Sequence, residues 1–167
     1  AGKAKILKHQ PYLDINGIYV KINGRQATMA DIDFSEKGNT YYFDKKGQLE
    51  SVENIYFITS GLTASASELL ISLFKPYYNA KLVGQKTFGK PVGFFPIEID
   101  KYSIYLSSFL LKNAGGWFDY FDGMEPNIAV DLSISSNLGD PEEVGLKNIL
   151  RDLERNKTTL LATNPNK

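Results

Sequence analysis

The sequence contains no cysteine, and this absence excludes several kinds of chemistry at once. A chain without cysteine has no disulfides, no thiolate zinc ligands and no cysteine nucleophile. An excess of charge of one sign is also missing, because 19 Lys and Arg residues balance 19 Asp and Glu residues. Nothing in the charge therefore favours nucleic acid or an anionic membrane as a partner. No apolar run reaches the roughly 18 residues that would predict a membrane-spanning helix.

Histidine is almost absent, and this limits how a hydroxyl nucleophile could be activated. A serine hydroxyl is a weak nucleophile and needs a neighbouring base, which is most often a histidine. The single histidine, His9, lies in a lysine-rich stretch, where a surface position is favoured over a catalytic one. The alternative base is a lysine whose pKa is lowered by apolar surroundings.

Apolar residues are plentiful, at 43% of the chain, and can fill the core of a single domain over residues 1–167. Residues 55–59 form a continuous apolar run that predicts a strand buried on both faces, and residues 81–83 predict a second strand. Between them, an apolar stripe at helical spacing predicts a helix that ends near Pro76. Residues 55–83 are therefore predicted to form one β-α-β unit. The stripe consists of Leu69, Leu70, Leu73, Phe74 and Tyr77.

Turn signals divide the remainder into shorter elements. Asn23-Gly24 predicts a hairpin, and no helix is predicted before residue 64. Two further strands are predicted at residues 93–99 and 103–110, followed by a last strand at residues 127–132.

A final helix is predicted from Asp140 as N-cap, with Pro141 at N1 and Glu143 at N3. Its predicted buried stripe consists of Leu146, Ile149, Leu150 and Leu153. After Arg155 the chain becomes polar and is expected to fray.

Aromatic residues make up 13% of the chain, and many fall between residues 102 and 121. They are predicted to lie in the core, and a groove for apolar side chains of a ligand is the alternative. The residues concerned are Tyr102, Tyr105, Phe109, Trp117, Tyr120 and Phe121.

Ser65 lies between the strand predicted at residues 55–59 and the helix that follows it. Unpaired backbone N–H groups and the positive end of the helix dipole converge there, so a developing oxyanion would be stabilised. The N–H of Ala66 is the natural donor to it. Ser65 and Glu68 also have the spacing of a capping box, so a purely structural N-cap is the alternative. Lys90 is the best candidate base on local grounds, because it lies in an apolar stretch whereas most other lysines lie in polar runs.

The runs TASASEL at residues 63–69 and VGQKTFGK at residues 83–90 together resemble the catalytic block of the C-terminal processing, or tail-specific, peptidases of family S41. The spacing from Ser65 to Lys90 fits the pattern of that family. The segment GMEPN at residues 123–127 resembles a later family segment, so the resemblance covers roughly residues 52–155. It implies that Ser65 is the nucleophile, Lys90 the general base and the Ala66 amide an oxyanion donor.

Two substitutions and two missing segments depart from the family pattern. Phe94 stands where many members carry a glutamine that orients the lysine, so the resemblance implies a dyad here. Asn127 replaces the usual aspartate and is predicted to be structural. An upstream N-x-G-G turn, which supplies a second oxyanion donor, and a PDZ-like segment are not found. The chain is therefore expected to be the C-terminal part of a catalytic domain that works with upstream segments of a parent chain.

The resemblance implies an α/β fold with a ClpP/crotonase-like core: a parallel β-α-β unit, added antiparallel strands and a C-terminal helix. It implies a serine endopeptidase that acts on proteins with exposed, often apolar C-termini, in an extracytoplasmic setting that is periplasmic or envelope-anchored. No metal or organic cofactor is expected.

Two other interpretations stay open. The same fold resembles that of the interphotoreceptor retinoid-binding proteins, so a non-catalytic module that binds an apolar ligand or a peptide is one. A folded but inactive fragment, which lacks half of its oxyanion hole, is the other.

Overall fold

The computed structural model of the chain describes residues 11–12, 18–44, 46–47, 51–132 and 137–163. His9 lies outside these residues. The chain divides into two compact units, one formed by residues 1–48 and 95–106 and the other by residues 49–94 and 107–167. The sequence predicted a single domain over residues 1–167, and that stays a prediction.

The first unit contains a short antiparallel hairpin, formed by β1 (Lys21–Ile22) and β2 (Arg25–Gln26). Its turn residues, Asn23 and Gly24, have φ values of 51° and 78°, which confirms the turn predicted from this pair. The described residues before 64 contain no α-helix, as predicted, but they do form two 3₁₀ turns, Met29–Asp31 and Lys37–Asn39.

The second unit is built on a three-stranded parallel sheet. Its strands are β3 (Asn54–Thr59), β4 (Asn79–Gly84) and β7 (Ile128–Ala129), in the order β3-β4-β7. Helix α1 (Ala66–Phe74) connects β3 to β4, whose register pairs Ile55 with Ala80. The predicted β-α-β unit is therefore confirmed. Strand β3 is less buried than predicted, since Ile58 is exposed.

Helix α1 buries a face that differs from the predicted apolar stripe. Leu70 and Tyr77 are exposed, whereas Glu68, Ile71 and Ser72 are buried. Two of these three buried residues are polar, and for this reason apolar periodicity placed the buried face wrongly. The core on which the helix packs contains Ile71, Leu82, Tyr120 and Met124, with Phe57 and Trp117 against them.

A second hairpin follows the sheet. It pairs β5 (Val92–Ile99) with β6 (Tyr102–Leu110), across a turn at Asp100 where φ is 57°. Every residue of β6 is exposed, because within the described residues these two strands form a sheet of their own. The prediction of an aromatic core is therefore wrong for Tyr102, Tyr105, Phe109 and Phe121. It is confirmed for Tyr120 and for Trp117, which packs against the core.

Helix α2 (Val144–Thr163) begins later than predicted and continues past Arg155. Asp140 is not its N-cap, because its backbone carbonyl and carboxylate bind the N–H groups of Glu143 and Glu142 in a preceding turn. Two N–H groups of the first helical turn, those of Gly145 and Leu146, instead donate to the Glu143 carboxylate.

The apolar stripe of α2 is confirmed only in part. Ile149 is buried, Leu146 and Leu153 are half-buried, and Leu150 is exposed. None of the helices in the described ranges has both the length and the apolarity that crossing a membrane requires.

Candidate functional site

The turn between β3 and α1 holds Ser65 in a strained conformation. Its φ of 55° and ψ of −114° lie in a region that residues other than glycine rarely occupy, at a cost of about 1–3 kcal/mol. The surrounding turn is fixed by hydrogen bonds between Ser60 and Thr63, including the one from Thr63 N–H to the Ser60 carbonyl at 2.9 Å. The half-buried Ser65 is thus held at the start of the helix by a rigid loop.

The first turn of α1 leaves the backbone N–H of Ala66 available. The N–H groups of Ser67 and Leu69 bind the carbonyls of Ala64 and Ser65, at 3.2 and 2.8 Å. The N–H of Ala66 donates no hydrogen bond within the part of the chain that the structure describes. Ala66 is also exposed, so this donor at the helix N-terminus is accessible.

Glu68, in the same turn of the helix, is completely buried and accepts four hydrogen bonds. Its Oε1 accepts from the hydroxyl of Thr87 at 2.5 Å and from Gly89 N–H at 2.7 Å. Its Oε2 accepts from the N–H groups of Ser65 and Lys90, at 2.9 and 2.8 Å. One carboxylate therefore joins the start of α1 to residues 87–90.

The segment at residues 87–90 is also bound to its neighbours on both sides. Phe88 N–H donates to the Thr63 carbonyl at 2.9 Å. The Thr87 hydroxyl, which donates to Glu68, accepts a hydrogen bond from Met124 N–H at 2.8 Å. Gly89 and Gly123 approach each other's segments so closely that a Cβ on either would lie within 2.2 Å of a backbone carbonyl oxygen, that of Phe121 or of Thr87. These contacts leave the segment little freedom to shift.

The structure brings the backbones of Ser65 and Lys90 together. Both N–H groups bind the same oxygen of Glu68, so the two nitrogens lie no further apart than the sum of those two distances. The four-carbon stem of a lysine is long enough to bridge such a gap. In the structure Lys90 Nζ lies 4.8 Å from the centroid of the Phe94 ring, and no hydrogen bond joins it to the Ser65 hydroxyl. The assignment of the two side chains as a dyad therefore stays a prediction.

Asn127 has a structural role, as predicted. Its side-chain oxygen accepts from Leu82 N–H at 2.8 Å, and its own N–H donates to the Leu82 carbonyl at 2.8 Å. These two bonds attach the residues before β7 to β4. Among the described residues, no group of three or more His, Asp or Glu side chains could hold a metal ion.

Sequence reasoning found the segments of the site but missed how they are joined. It assigned Glu68 only to the helix cap. Three of the four donors to Glu68 come from residues 87–90, and two of those are backbone N–H groups. Backbone donors are present at nearly every residue, so no sequence signal could have identified them.

The sequence profile of peptidase family S41 matches residues 9–130, well over half of the chain. The chain belongs to peptidase family S41. The match includes residues 9–51, which the sequence motifs had not covered, and it contains both Ser65 and Lys90.

A solved structure, that of a candidate S41 protease from Bacteroides fragilis, is similar in fold to this S41 chain. The two share 26% sequence identity with a TM-score of 0.56, over 61% of this chain and 28% of the solved one. The chain thus spans less than a third of that relative's length. The comparison with curated proteins gave no match. The predicted mixed α/β fold with a parallel sheet, antiparallel strands and a C-terminal helix is confirmed.

Proposed function

We propose that the chain carries the nucleophile and the base of a serine endopeptidase, in which Ser65 attacks the peptide carbonyl and Lys90 accepts its proton. Membership of family S41 supports a peptidase function in general. The observation that carries the finer assignment is the single Glu68 oxygen that binds the backbone N–H groups of both residues. The strained conformation of Ser65 at a helix N-terminus is a second support.

The proposed reaction has two halves. Lys90 Nζ takes the proton from the Ser65 hydroxyl while Oγ bonds to the scissile carbonyl carbon, and the Ala66 N–H binds the resulting oxyanion. The carbon–nitrogen bond then breaks, and the leaving amine receives the proton from Lys90. Lys90 then deprotonates a water molecule that attacks the acyl carbon. The ester bond to Oγ breaks, Lys90 returns the proton to the Ser65 oxygen, and the carboxyl product leaves.

The substrate class belongs to the proposal as well. Peptidase membership implies protein or peptide substrates, and we propose those with exposed apolar C-termini, in an extracytoplasmic compartment. Leu62 and Phe88 lie in the segments that hold Ser65 and Lys90, and their side chains are 91% and 64% exposed. Such exposed apolar side chains near the nucleophile are suited to contact apolar residues of a substrate.

A fluorophosphonate probe tests this assignment, because it forms a covalent bond only with an activated serine. We expect peptide mapping by mass spectrometry to locate the adduct on Ser65, and Ser65→Ala and Lys90→Met to abolish labelling. Ser67→Ala is the matched control, since Ser67 lies two residues away on the exposed side of the helix start and should label normally. Labelling that survives in Ser65→Ala would remove the proposed nucleophile.

A non-catalytic peptide-binding module is the second candidate. It is favoured by the position of Lys90 Nζ over the Phe94 ring and by the exposed aromatic side chains of β6. In that case apolar C-terminal peptides would bind the native chain and Ser65→Ala equally well, and no cleaved product would form.

A further inference from the structure

We infer that Glu68 is a positioning residue that sets the separation of Ser65 and Lys90, beyond its role in capping α1. This inference rests on the proposed function, because it assigns Glu68 to the alignment of the proposed nucleophile and base. The Glu68 carboxylate takes no part in the bonds that form and break in the proposed reaction, so its action would be indirect.

The four hydrogen bonds to the Glu68 carboxylate are distributed unevenly between its own helix and a distant segment. A helix cap needs only the bond to Ser65, which is three residues away. The other three donors lie 19, 21 and 22 positions along the chain, in the segment that ends at Lys90. Most of the bonding capacity of the carboxylate is therefore used between segments and not within the helix.

One oxygen of Glu68 binds both proposed catalytic residues. Oε2 accepts from the backbone nitrogens of Ser65 and Lys90, so any displacement of this atom changes the position of one relative to the other. A misplacement of about 1 Å between reacting groups can slow a reaction by about 100-fold. Glu68 thus sets the separation of Ser65 and Lys90, on which the proposed proton transfer depends.

Burial makes these hydrogen bonds harder to replace. Glu68 is 0% exposed, so water cannot replace a hydrogen bond that is lost there. Thr87 extends the constraint, because its buried hydroxyl donates to Glu68 and accepts from Met124 N–H. The position of the Glu68 carboxylate is therefore fixed from a third segment as well.

Glu68→Gln is the test variant, because the amide keeps the shape of the side chain but replaces one acceptor oxygen with an NH₂ donor. We expect the maximal rate of fluorophosphonate labelling at Ser65 to fall about 100-fold, with the probe concentration for half-maximal rate changed less than about threefold. Glu143→Gln, at the start of α2, is the matched control and should label at the native rate. A native labelling rate in folded Glu68→Gln would overturn the inference.

Thr87 keeps the inference testable if Glu68→Gln does not fold. Thr87→Ser retains the hydroxyl and should restore most of the labelling rate that Thr87→Val loses. If Thr87→Val labels like the native chain, the positioning role is wrong.

A readout without activity separates this inference from the proposed function. In amide NMR spectra, N–H protons bound to a carboxylate resonate at low field, and we expect those of Ser65, Gly89 and Lys90 to move together to higher field in Glu68→Gln. If the native chain never labels but the three resonances move together, the proposed function fails and the placement by Glu68 is supported. If Ser65 moves and Lys90 does not, Glu68 is a helix cap only and the inference is overturned.

Discussion

The two helices of the second unit each have a glutamate carboxylate beside their N-terminus, yet the two carboxylates form different sets of hydrogen bonds. Glu143 is half-buried and binds two N–H groups in the first turn of its own helix. Glu68 is buried and binds one N–H group beside its helix and three donors from residues 87–90. The same capping chemistry therefore gives local stability at α2 and holds distant segments in register at α1.

The two helices are also attached to the rest of the unit at different places. Helix α2 is attached to the sheet near its middle, where the Asp152 carboxylate binds Lys81 Nζ and the Tyr56 hydroxyl, each at 2.6 Å. Helix α1 is fastened at its N-terminus, through Glu68. The proposed catalytic residues lie near the N-terminus of α1, which Glu68 holds in place. Local opening in other parts of the chain therefore has little effect on their geometry.

The largest effect is expected from Gly89→Ala, which attacks the segment that Glu68 holds. The new Cβ would lie 2.2 Å from the Phe121 carbonyl oxygen, at a φ of +96°. We expect the free energy of unfolding in urea to fall by about 3–5 kcal/mol. Gly116→Ala is the control, since its φ is +76° but no atom lies within 4 Å of the added Cβ. It should cost only about 1–2 kcal/mol, and equal losses would show that contact at Gly89 is unimportant.

The next largest effect compares the two glutamates directly. Glu68→Gln leaves buried donors unpaired and should lower the free energy of unfolding by about 2–4 kcal/mol. Glu143→Gln weakens a solvated cap and should lower it by about 1 kcal/mol or less. Urea denaturation followed by circular dichroism measures both. A larger loss at Glu143 would reverse the comparison.

A smaller, pH-dependent effect is expected at the attachment of α2. Hydrogen bonds from Lys81 and Tyr56 hold the pKa of the Asp152 carboxyl below its ordinary value. A lowered folded-state pKa stabilises the protein above the unfolded pKa, and this contribution is lost as the pH falls through the folded-state pKa. Asp152→Asn should therefore cost about 1 kcal/mol at pH 7 and nothing once the pH is well below about 4. A cost that does not change between these pH values would exclude the ionic contribution.

The smallest effect concerns the side chain of Lys90, whose Nζ lies over the Phe94 ring. Phe94 is 45% exposed, so the cation–π contact is worth about 0.5–1 kcal/mol. Phe94→Leu should change the rate of Ser65 labelling only a few-fold, and Phe94→Tyr should retain the native rate. If Phe94→Leu slows labelling more than Glu68→Gln, the lysine is positioned at its head and not through its backbone.

The sequence predicted the parallel core because its signals there are local and consistent. The apolar run of β3, the helix that ends before Pro76 and the apolar β4 each match one element of a β-α-β unit. The prediction of the buried face of α1 was wrong because Glu68 and Ser72 are polar and buried. The predicted start of α2 was wrong because Asp140 and Pro141 form a turn, and the residue that caps the helix is Glu143.

The candidate site shows the same limit in another form. Residues 63–69 and 83–90 could be located from their motif, and with them Ser65 and Lys90. The shared acceptor on Glu68 could not be predicted from the motif, because its partners are backbone groups whose positions depend on the folded path of the chain. The exposure of the β6 aromatics was unpredictable for a related reason, since composition does not tell how many layers cover a sheet.

The close approach of Gly89 and Gly123 has a consequence for how this protein can vary. Each glycine lies closest to main-chain atoms of the other's segment, and a Cβ on Gly123 would also meet Lys86 Cγ at 3.2 Å. A side-chain contact can be retuned during evolution by exchanging a large residue for a small one across the interface. Here the closest atoms are main-chain carbonyl oxygens, so exchanging side chains cannot make room for a Cβ at either position. The path of the loop that carries Lys90 is thus fixed by two positions that have only one acceptable amino acid each.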